Sequence, residues 1–581
     1  MKINLLNKKK MKKLYHIFTT LFLFLTFSTY AQDKLGTISV DIVKPYTPTI
    51  ADVHKPQEET PKKDSVTVAK KKINYTIHSV PVASTFVPEK GKAVRITASQ
   101  RKDTLYHSYI ALGAGSYASF YGDGFVAIPL NEESDLSLDF THHSSKGKVK
   151  GVTLDNNFSN TEAQASYRYG DNDYQLGLSA NVANRLMHWY GVEDKTLLPI
   201  EASLRQSYLS GGLSGFFSMN KSVFNGIDFW IQGAKDHFQS GETQVKLRPT
   251  FKFDINQQQF VTAILDVDYL QGSFDQHFSN SNKIEYRSAL IGIKPSYRFS
   301  IPNFSIKLGL GAYYAKEKDY ENGHDLKIFP DAELSYDAFG DNFILYGGIT
   351  GNIEQLSYRK QSLENPYLSP TQELHPTFTP YDIFGGVKGA LGQGFSYNIN
   401  LFYKRLENMP LFQANEKLSL IQYAPYQYDN TYKIIYQDAM EYGIKAHLTG
   451  KISDQFDMDF SLKANGFSMD KQEEEAWNQP SFTSALAAHY QIIPNWNIAA
   501  EFFYVGERKD LKHTLSTQPR EQVTLKGFFD LNFSTDYTFL KQWTIFVNLN
   551  NVAGENYLRW TNYPVQGFQF LAGVKYSFNI K

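Results

Sequence analysis

The chain contains 581 residues, no Cys, and 59 basic against 59 acidic residues. The absence of Cys excludes a disulfide framework, a thiolate metal site and a Cys nucleophile. The balanced charge, without a concentrated basic patch, gives no indication of a nucleic-acid partner.

Residues 1–31 have the layout of a secretory signal peptide. Five Lys between positions 8 and 13 precede the short apolar run 17–27, and Thr29–Ala31 form a small-x-small cleavage site. The run is shorter than the ~20 residues that a membrane-spanning helix needs. We therefore predict Sec-type cleavage near Ala31, whether the chain starts at Met1 or at Met11. Cleavage would remove six Lys and no acidic residue, which leaves 53 basic and 59 acidic residues and a net charge of −6.

Residues 32–103 form an N-terminal segment rich in Pro and Lys. It contains six Pro, and its Lys residues cluster at 62–63 and 70–72. Pro and Lys at this density disfavour a packed core. The segment is predicted to lie in the periplasm or in the lumen of the domain that follows, and the sequence leaves these two locations open.

Residues 104–581 alternate between apolar and polar side chains, which is the pattern of β-strands. The clearest strands are 456–465, 496–504 and 568–578. Their apolar faces are predicted to meet lipid; the residues are Phe456, Phe460, Leu462, Trp496, Ile498, Phe502, Tyr504, Phe568, Phe570, Val574, Tyr576 and Phe578. The opposite faces, with residues such as Lys463 and Lys575, are predicted to face water.

A large soluble β-protein would also alternate, but two features favour a membrane barrel. The strands are about ten residues long, which suits a tilted transmembrane strand and exceeds the usual five or six residues of soluble sheets. Aromatic residues make up 15% of the chain and often stand at strand ends, as the aromatic girdles of such barrels require. We predict an all-β, antiparallel transmembrane barrel in the outer membrane of a Gram-negative bacterium, with outer-membrane lipid as its surroundings.

The connections predict the number of strands. Ten tight turns rich in Gly, Pro, Asn and Asp are predicted around 131–134, 170–173, 223–226, 254–257, 301–303, 339–342, 392–394, 453–455, 494–495 and 540–542. Eleven other connections alternate with them, near Tyr117 and Gln239 and at 145–159, 185–202, 273–283, 317–324, 353–379, 408–432, 469–479, 508–521 and 553–566. Together they join about 22 strands, within an expected even-numbered range of 16 to 22, with both ends in the periplasm.

The C-terminal stretch 548–578 resembles the end of TonB-dependent outer-membrane receptors. The shared features are an Asn-Leu-x-Asn-like turn at 548–550, a loop with Tyr557, a Tyr-Pro-x-x-Gly step at 563–567, and a last strand that ends in Tyr576-x-Phe578. Three residues, 579–581, follow the last aromatic. The resemblance implies a receptor barrel with a folded plug domain inside it.

The N-terminal segment is too short for a full plug domain, so a barrel without its own plug is predicted. A lumen of this size is normally closed. Residues 32–103, inward loops such as 353–379, or another protein could close it. The resemblance also implies coupling to TonB, and residues 37–43 are a candidate TonB box: Thr37, Ile38, Val40, Ile42 and Val43. The alternative is an ordinary β-prone patch in a linker.

No Walker loop, dinucleotide fingerprint or zinc-protease motif occurs, so no catalytic residue, metal or cofactor is predicted and the chain is not expected to be an enzyme. Long loops are rich in aromatic residues. Six of them are candidates for a binding surface: Tyr358, Tyr367, Phe412, Tyr423, Tyr426 and Tyr428. The alternative is that these loops pack on one another and close the barrel mouth.

Three functions fit this sequence. The first is a subunit or scaffold of an outer-membrane complex with a protein partner; the others are TonB-dependent uptake of a nutrient or siderophore-like ligand, and a passive pore.

The register of the last strand has its own test: Phe570→Arg should impair membrane insertion severely, whereas Lys575→Glu should not.

Overall fold

The computed structural model describes residues 106–192, 203–317, 324–392, 394–416, 424–471, 474–512 and 521–580. The predicted signal peptide, the segment 32–103, the candidate TonB box and Tyr423 lie outside the described residues. No helix among the described residues is long and apolar enough to cross a membrane.

The described residues form 26 strands, one short α-helix and a single 3-10 turn. The strands are β1 (Ser108–Gly115), β2 (Ser119–Pro129), β3 (Ser134–Ser145), β4 (Phe158–Gly170), β5 (Tyr174–His188), β6 (Arg205–Met219), β7 (Phe224–Asp236), β8 (Gly241–Asn256), β9 (Gln259–Phe274), β10 (Ile284–Ile301), β11 (Phe304–Glu317), β12 (His324–Asp337), β13 (Ile344–Glu354), β14 (Thr377–Leu391), β15 (Phe395–Ala414), β16 (Tyr432–Ser453), β17 (Phe456–Met469), β18 (Phe482–Ile493), β19 (Trp496–Val505), β20 (Arg508–Lys512), β21 (Glu521–Leu525), β22 (Phe528–Thr538), β23 (Trp543–Asn550), β24 (Leu558–Trp560), β25 (Tyr563–Pro564) and β26 (Gln569–Phe578). The helix α1 is Tyr358–Glu364, and the 3-10 turn is Ser116–Ala118.

Twenty-two of these strands form one closed antiparallel sheet. Consecutive strands pair in chain order, and the ring closes where β1 pairs with β26, from Ser108 opposite Phe578 to Gly115 opposite Leu571. Closure removes both sheet edges, so every strand has a partner on each side. The predicted barrel and its 22 strands are confirmed.

The ten predicted tight turns join the strands at the rim where β1 begins and β26 ends. At the β14–β15 turn, Gly392 and Gly394 have φ angles of 64° and 100°. Glycine adopts this left-handed region without the steric cost that a Cβ would impose. The longer connections all lie at the opposite rim, which we call the outer rim.

Three predicted connections differ from the observed ones. The chain was expected to leave the sheet at 408, where Asn408 and Pro410 resemble a turn. Instead a β-bulge with Asn408 at φ 52° lets β15 continue to Ala414. The connections 508–521 and 553–566 contain small hairpins of their own, β20–β21 and β24–β25, which pair outside the barrel sheet.

The two faces of the barrel wall differ as the alternation predicts. On β26, the outward Val574 is 41% exposed, whereas the inward Leu571 is 7% exposed. Phe568, Phe570, Trp496 and Ile498 are likewise exposed on the outside. The other residues of the predicted lipid face, on β17, β19 and β26, are partly exposed. Contact with lipid stays a prediction.

The inner wall carries charged residues in ion-paired groups. Glu441 on β16 is buried, and its two carboxylate oxygens lie 2.6 Å from Lys404 Nζ and 2.8 Å from Lys463 Nζ on the flanking strands. A buried carboxylate is costly unless its oxygens are paired, and here both are. The neighbouring Tyr403 and Tyr442 point outward and are exposed. The wall is therefore polar inside and apolar outside.

Candidate functional site

The connections at the outer rim converge into a packed layer across the barrel mouth. We call this the loop layer; it comprises the described parts of the connections β3–β4, β5–β6, β9–β10, β13–β14, β15–β16, β19–β22 and β23–β26. One apolar cluster joins side chains from most of them: Tyr190, Phe274, Leu356, Tyr358, Leu368, Leu374, Phe412, Ala414, Tyr432, Ile434, Trp560 and Tyr563 are buried in it, and Val152, Leu154 and Tyr367 pack against it. A hydrophobic core thus forms above the lumen.

Three tyrosines meet at the centre of the loop layer. Tyr190, Tyr367 and Tyr563 come from the β5–β6, β13–β14 and β23–β26 loops, which lie eight, eight and six strands apart around the 22-strand ring. The ring centroids of Tyr367 and Tyr563 are 3.4 Å apart, and that of Tyr190 is 5.0 Å from Tyr563 and 6.2 Å from Tyr367. We call these residues the tyrosine triad. Because its members start from well-separated points of the rim, their contact requires the loops to reach across the mouth.

Hydrogen bonds also cross the mouth. Asn430 Nδ2 donates to the carbonyl of Trp189 at 3.1 Å, and the two loops involved are ten strands apart in the ring. Trp189 Nε1 donates to the carbonyl of Pro366, and Tyr563 Oη donates to the carbonyl of Asn430. Buried backbone carbonyls need such partners, so these side chains satisfy loop backbone that no sheet pairs.

The β13–β14 loop, residues 355–376, runs inward and contains α1; we call it the inward loop. Glu242 at the outer end of β8 is buried and holds the start of this helix. Its carboxylate accepts hydrogen bonds from Ser357 Oγ and Tyr358 N at 2.6 Å, from Tyr286 Oη at 2.9 Å and from Arg359 N at 3.2 Å. A carboxylate at a helix start accepts otherwise unpaired backbone N–H groups. Glu242 therefore fixes the inward loop to the barrel wall five strands away.

A second buried carboxylate joins the β20–β21 hairpin to the rest of the loop layer. Asp510 is 0% exposed and accepts hydrogen bonds from Thr561 Oγ1 at 2.6 Å, Leu511 N at 2.8 Å and Tyr432 Oη at 2.9 Å. Burial raises the pKa of the Asp510 carboxyl, and the hydrogen bonds from Thr561 and Tyr432 oppose that rise. Arg508, two residues earlier, donates to the carbonyls of 558 and 559.

The structure places the five described loop aromatics inside the layer. Tyr358, Phe412, Tyr426 and Tyr428 are buried, and Tyr367 is part of the tyrosine triad. Phe412 belongs to β15, because of the bulge described above. These five residues pack between the loops here, and a binding surface formed by them stays a prediction. They offer little surface to a ligand in this state.

Several residues central to the site were not predicted as site residues. Trp189 and Tyr190 are adjacent aromatics in a long loop, a signal of the same kind as the one used for Tyr426 and Tyr428. Tyr563 belongs to the C-terminal motif but was not assigned to the mouth. Nothing in the local sequence marks Glu242 or Asp510, because their partners are far away along the chain.

Replacing Gly191 with Ala should loosen the centre of the loop layer. An ideal Cβ at Gly191 would lie 2.5 Å from Cε2 of Tyr563, and such overpacking costs typically about 1–3 kcal/mol. Limited proteolysis of intact cells should therefore cleave the variant faster in its outer loops. Gly241→Ala is the matched control, because no atom lies within 4 Å of its added Cβ. Equal cleavage of both variants would contradict the packing described for Gly191.

The described residues contain no group of three or more His, Asp or Glu side chains that could hold a metal ion. His142 and His143 point to opposite faces of β3, as adjacent strand residues must. His142 contacts Thr161 on the outside, and His143 is buried on the inside near Tyr121.

Comparison with solved structures finds several outer-membrane proteins with a similar fold. It is similar to P. aeruginosa FpvA bound to heterologous pyoverdines (13% identity, TM-score 0.60, 81% of this chain and 72% of that chain). It is also similar to the FrpB iron transporter from Neisseria meningitidis, F3-3 variant (12% identity, TM-score 0.61, 82% of this chain and 82% of that chain). A third similar structure is the copper transporter OprC (13% identity, TM-score 0.57, 81% of this chain and 80% of that chain). No protein-family model and no curated protein sequence matches the chain.

The class defined by this fold is the large, closed antiparallel β-barrel. More particularly, the 22-strand barrel has the fold of TonB-dependent receptors, as the C-terminal motif indicated. The solved structures named above are receptors and transporters. At 12–13% identity the likeness concerns the fold.

Proposed function

We propose that the chain is an outer-membrane barrel whose loop layer keeps the outer mouth closed, and that it serves as a subunit or scaffold of an outer-membrane protein complex. The observation that carries this proposal is the packing of the loop layer. Its aromatic side chains are buried against one another, and its polar groups pair across the mouth. A receptor that takes up ligands from outside needs accessible loop surface, whereas a structural subunit does not. The proposal includes no catalytic role.

Active uptake driven by TonB is the second candidate, and the fold likeness to an iron transporter supports it. FpvA has been solved with pyoverdines bound, and its fold is the one seen here. Uptake by this chain would require the loop layer to open in each transport cycle. The closed layer also counts against a passive pore, which would conduct steadily in a planar bilayer.

Cross-linking the loop layer shut separates the two candidates. His277 Nε2 and Glu373 Oε1 lie 3.9 Å apart, between the β9–β10 loop and the inward loop, and both side chains are partly exposed. Because the chain has no Cys, the double variant His277→Cys/Glu373→Cys can be bridged selectively by a short, reducible bis-thiol reagent. A scaffold should support growth of a strain that depends on it equally well with and without the bridge. Loss of function that a reductant restores would establish uptake through an opening mouth.

Each single-Cys variant treated with the same reagent is the matched control, because it is modified but not bridged.

Native mass measurement of the gently extracted, tagged protein tests the complex directly. A partner at fixed ratio is expected, and a lone barrel would contradict the proposal.

Deletion of 37–43 should leave function intact for a scaffold and abolish it for TonB-driven uptake. N-terminal sequencing of the same sample should begin at Gln32 if cleavage follows Ala31.

A further inference from the structure

The outward face of the barrel wall carries two neighbouring cations at the outer ends of β10 and β11. Arg287 and Lys316 both point away from the lumen and are exposed. Ala289 of β10 stands opposite Lys316, so Arg287 is the diagonal neighbour of Lys316 on the same face. Such neighbours lie about 7–8 Å apart, within reach of long side chains. Among the described residues, neither cation has a hydrogen-bond or ion-pair partner.

These two cations stand directly above an apolar part of the wall. The outward residues below them are Tyr314, Ala312, Leu310, Leu308, Ile306 and Phe304 on β11, and Ala289, Ile291, Ile293, Pro295, Tyr297 and Phe299 on β10. Each row covers ten steps along its strand, 304–314 and 289–299. At about 3.3 Å per step and a tilt of about 40°, each row spans roughly 25 Å. Because this is the height of the lipid-facing band of membrane barrels, both cations lie at the outer polar boundary of that band.

The surroundings leave this pair of residues positively charged. Glu285, the next outward residue of β10, lies 3.7 Å from Lys283, and these two charges offset each other. Gln271 of β9 stands opposite Arg287. Its Oε1 accepts a hydrogen bond from Tyr269 Oη at 3.0 Å, which leaves its amide nitrogen as a further donor. The patch therefore offers two positive charges and one amide donor to an acceptor outside the barrel.

The position of the patch indicates the chemistry of its ligand. Arg and Lys bind phosphate oxygens through charge-assisted hydrogen bonds, and basic residues at a membrane surface attract anionic lipids. A soluble anion would use only the charges, whereas a phosphorylated lipid would also place its acyl chains against the apolar rows below. Lys235, the outward cation at the outer end of β7, stands between Leu209 and Gly241 and lacks such a neighbouring cation.

We propose that Arg287, Lys316 and Gln271 form a site for the phosphate of an outer-leaflet glycolipid, whose acyl chains lie along the outward faces of β10 and β11. The proposal rests on the outer-membrane location proposed above, and it does not depend on the scaffold role. A lipid held in this way would form part of any interface that the barrel makes on this side.

Native mass spectrometry of the purified, delipidated protein in a neutral detergent tests this proposal. The probe is lipid A with two phosphates, and the comparator is the same lipid A with both phosphates removed. We expect the phosphorylated lipid to bind the wild type more tightly, and higher ionic strength should weaken its binding. The double variant Arg287→Gln/Lys316→Gln should bind it about 20-fold more weakly, because each basic residue near an anionic lipid surface contributes about fivefold in affinity.

The matched control is Lys221→Gln/Lys541→Gln, which removes two exposed cations from tight turns at the rim opposite the outer rim and should bind like the wild type. A heat-modifiable band verifies that both double variants are folded. The proposal is overturned if phosphate-free lipid A binds the wild type equally well, or if folded Arg287→Gln/Lys316→Gln binds as tightly as the control.

Two further outcomes separate this site from the scaffold role. Loss of a co-purified protein from Arg287→Gln/Lys316→Gln, with unchanged lipid binding, would assign the two cations to a protein contact and overturn the lipid site. A lone barrel that binds phosphorylated lipid A through these residues would contradict the scaffold role and support the lipid site.

Discussion

Replacing Val574 with Arg should nearly abolish assembly of the barrel into the outer membrane. Val574 lies in the middle of β26, points outward, and stands beside Leu112 of β1 and Ile545 of β23, which are also exposed on the outside. An Arg on the lipid face costs about 2–4 kcal/mol at the bilayer midplane and much less near the interfaces. The measurement is the fraction of heat-modifiable, folded protein in outer-membrane preparations.

The structure refines the prediction made for Phe570. Phe570 also points outward, but its backbone N–H donates to Ser116 Oγ in the connection at the outer rim. An Arg there can reach the interface, so Phe570→Arg should be milder than Val574→Arg. The matched control is Lys575→Glu, a charge reversal one residue along the same strand on the inner face, where Lys575 Nζ lies 5.5 Å from the ring centroid of Tyr109. Equal loss of folded protein for Val574→Arg and Lys575→Glu would mean that the two faces are assigned wrongly.

Replacing Glu242 with Ala should detach the inward loop from the barrel wall. The change leaves Ser357 Oγ, the N–H groups of 358 and 359 and Tyr286 Oη without their acceptor. Each buried donor left in this state costs about 1–3 kcal/mol. Because the helix N-terminus and the wall both lose their common partner, α1 should no longer be held against β8.

Accessibility of α1 reports this opening directly. Ser362 lies on α1 and is buried, and the chain has no Cys. A Ser362→Cys reporter should therefore react slowly with an external maleimide in the otherwise native protein and many times faster when Glu242→Ala is added. Glu162→Ala is the matched control, because Glu162 is an exposed inner-wall carboxylate with one ion pair to Arg185 at 3.0 Å. Exposed ion pairs of this kind contribute about 0–1 kcal/mol to the stability of the folded protein. Unchanged labelling in Glu242→Ala would show that other contacts hold the inward loop.

The barrel wall could be predicted because its strands and turns are determined by residues that are close together in the sequence. The alternation at 456–465, 496–504 and 568–578 assigned each side chain to a face, and the observed exposure of Val574 and burial of Leu571 follow the same period. The ten tight turns lay where Gly, Pro, Asn and Asp interrupt the alternation. Prediction failed at Asn408, because a bulge and a turn begin with the same residue types and only pairing with β16 distinguishes them.

The candidate site could be predicted only in part. The aromatic loops were recognised, but whether they faced outward or packed together stayed open, since both uses require the same residues. The decisive contacts join positions far apart in the chain. Asn430 and Trp189 are separated by 241 positions, and Glu242 and Tyr358 by 116. The periodicity of the sequence does not predict contacts between positions so far apart.

The sequence alone predicted that this chain folds as a barrel of about 22 strands and that the side chains of each strand alternate between two faces, and its C-terminal stretch resembles TonB-dependent receptors. A strand's side chains alternate with period two and each hairpin pairs with its neighbour, so these properties follow from short segments. Only the tertiary structure decided that the described outer loops pack on one another across the mouth. Closure of the ring brings loops from well-separated parts of the rim within reach of one another, and the contact of Tyr190, Tyr367 and Tyr563 at their meeting point is a property of the assembled barrel.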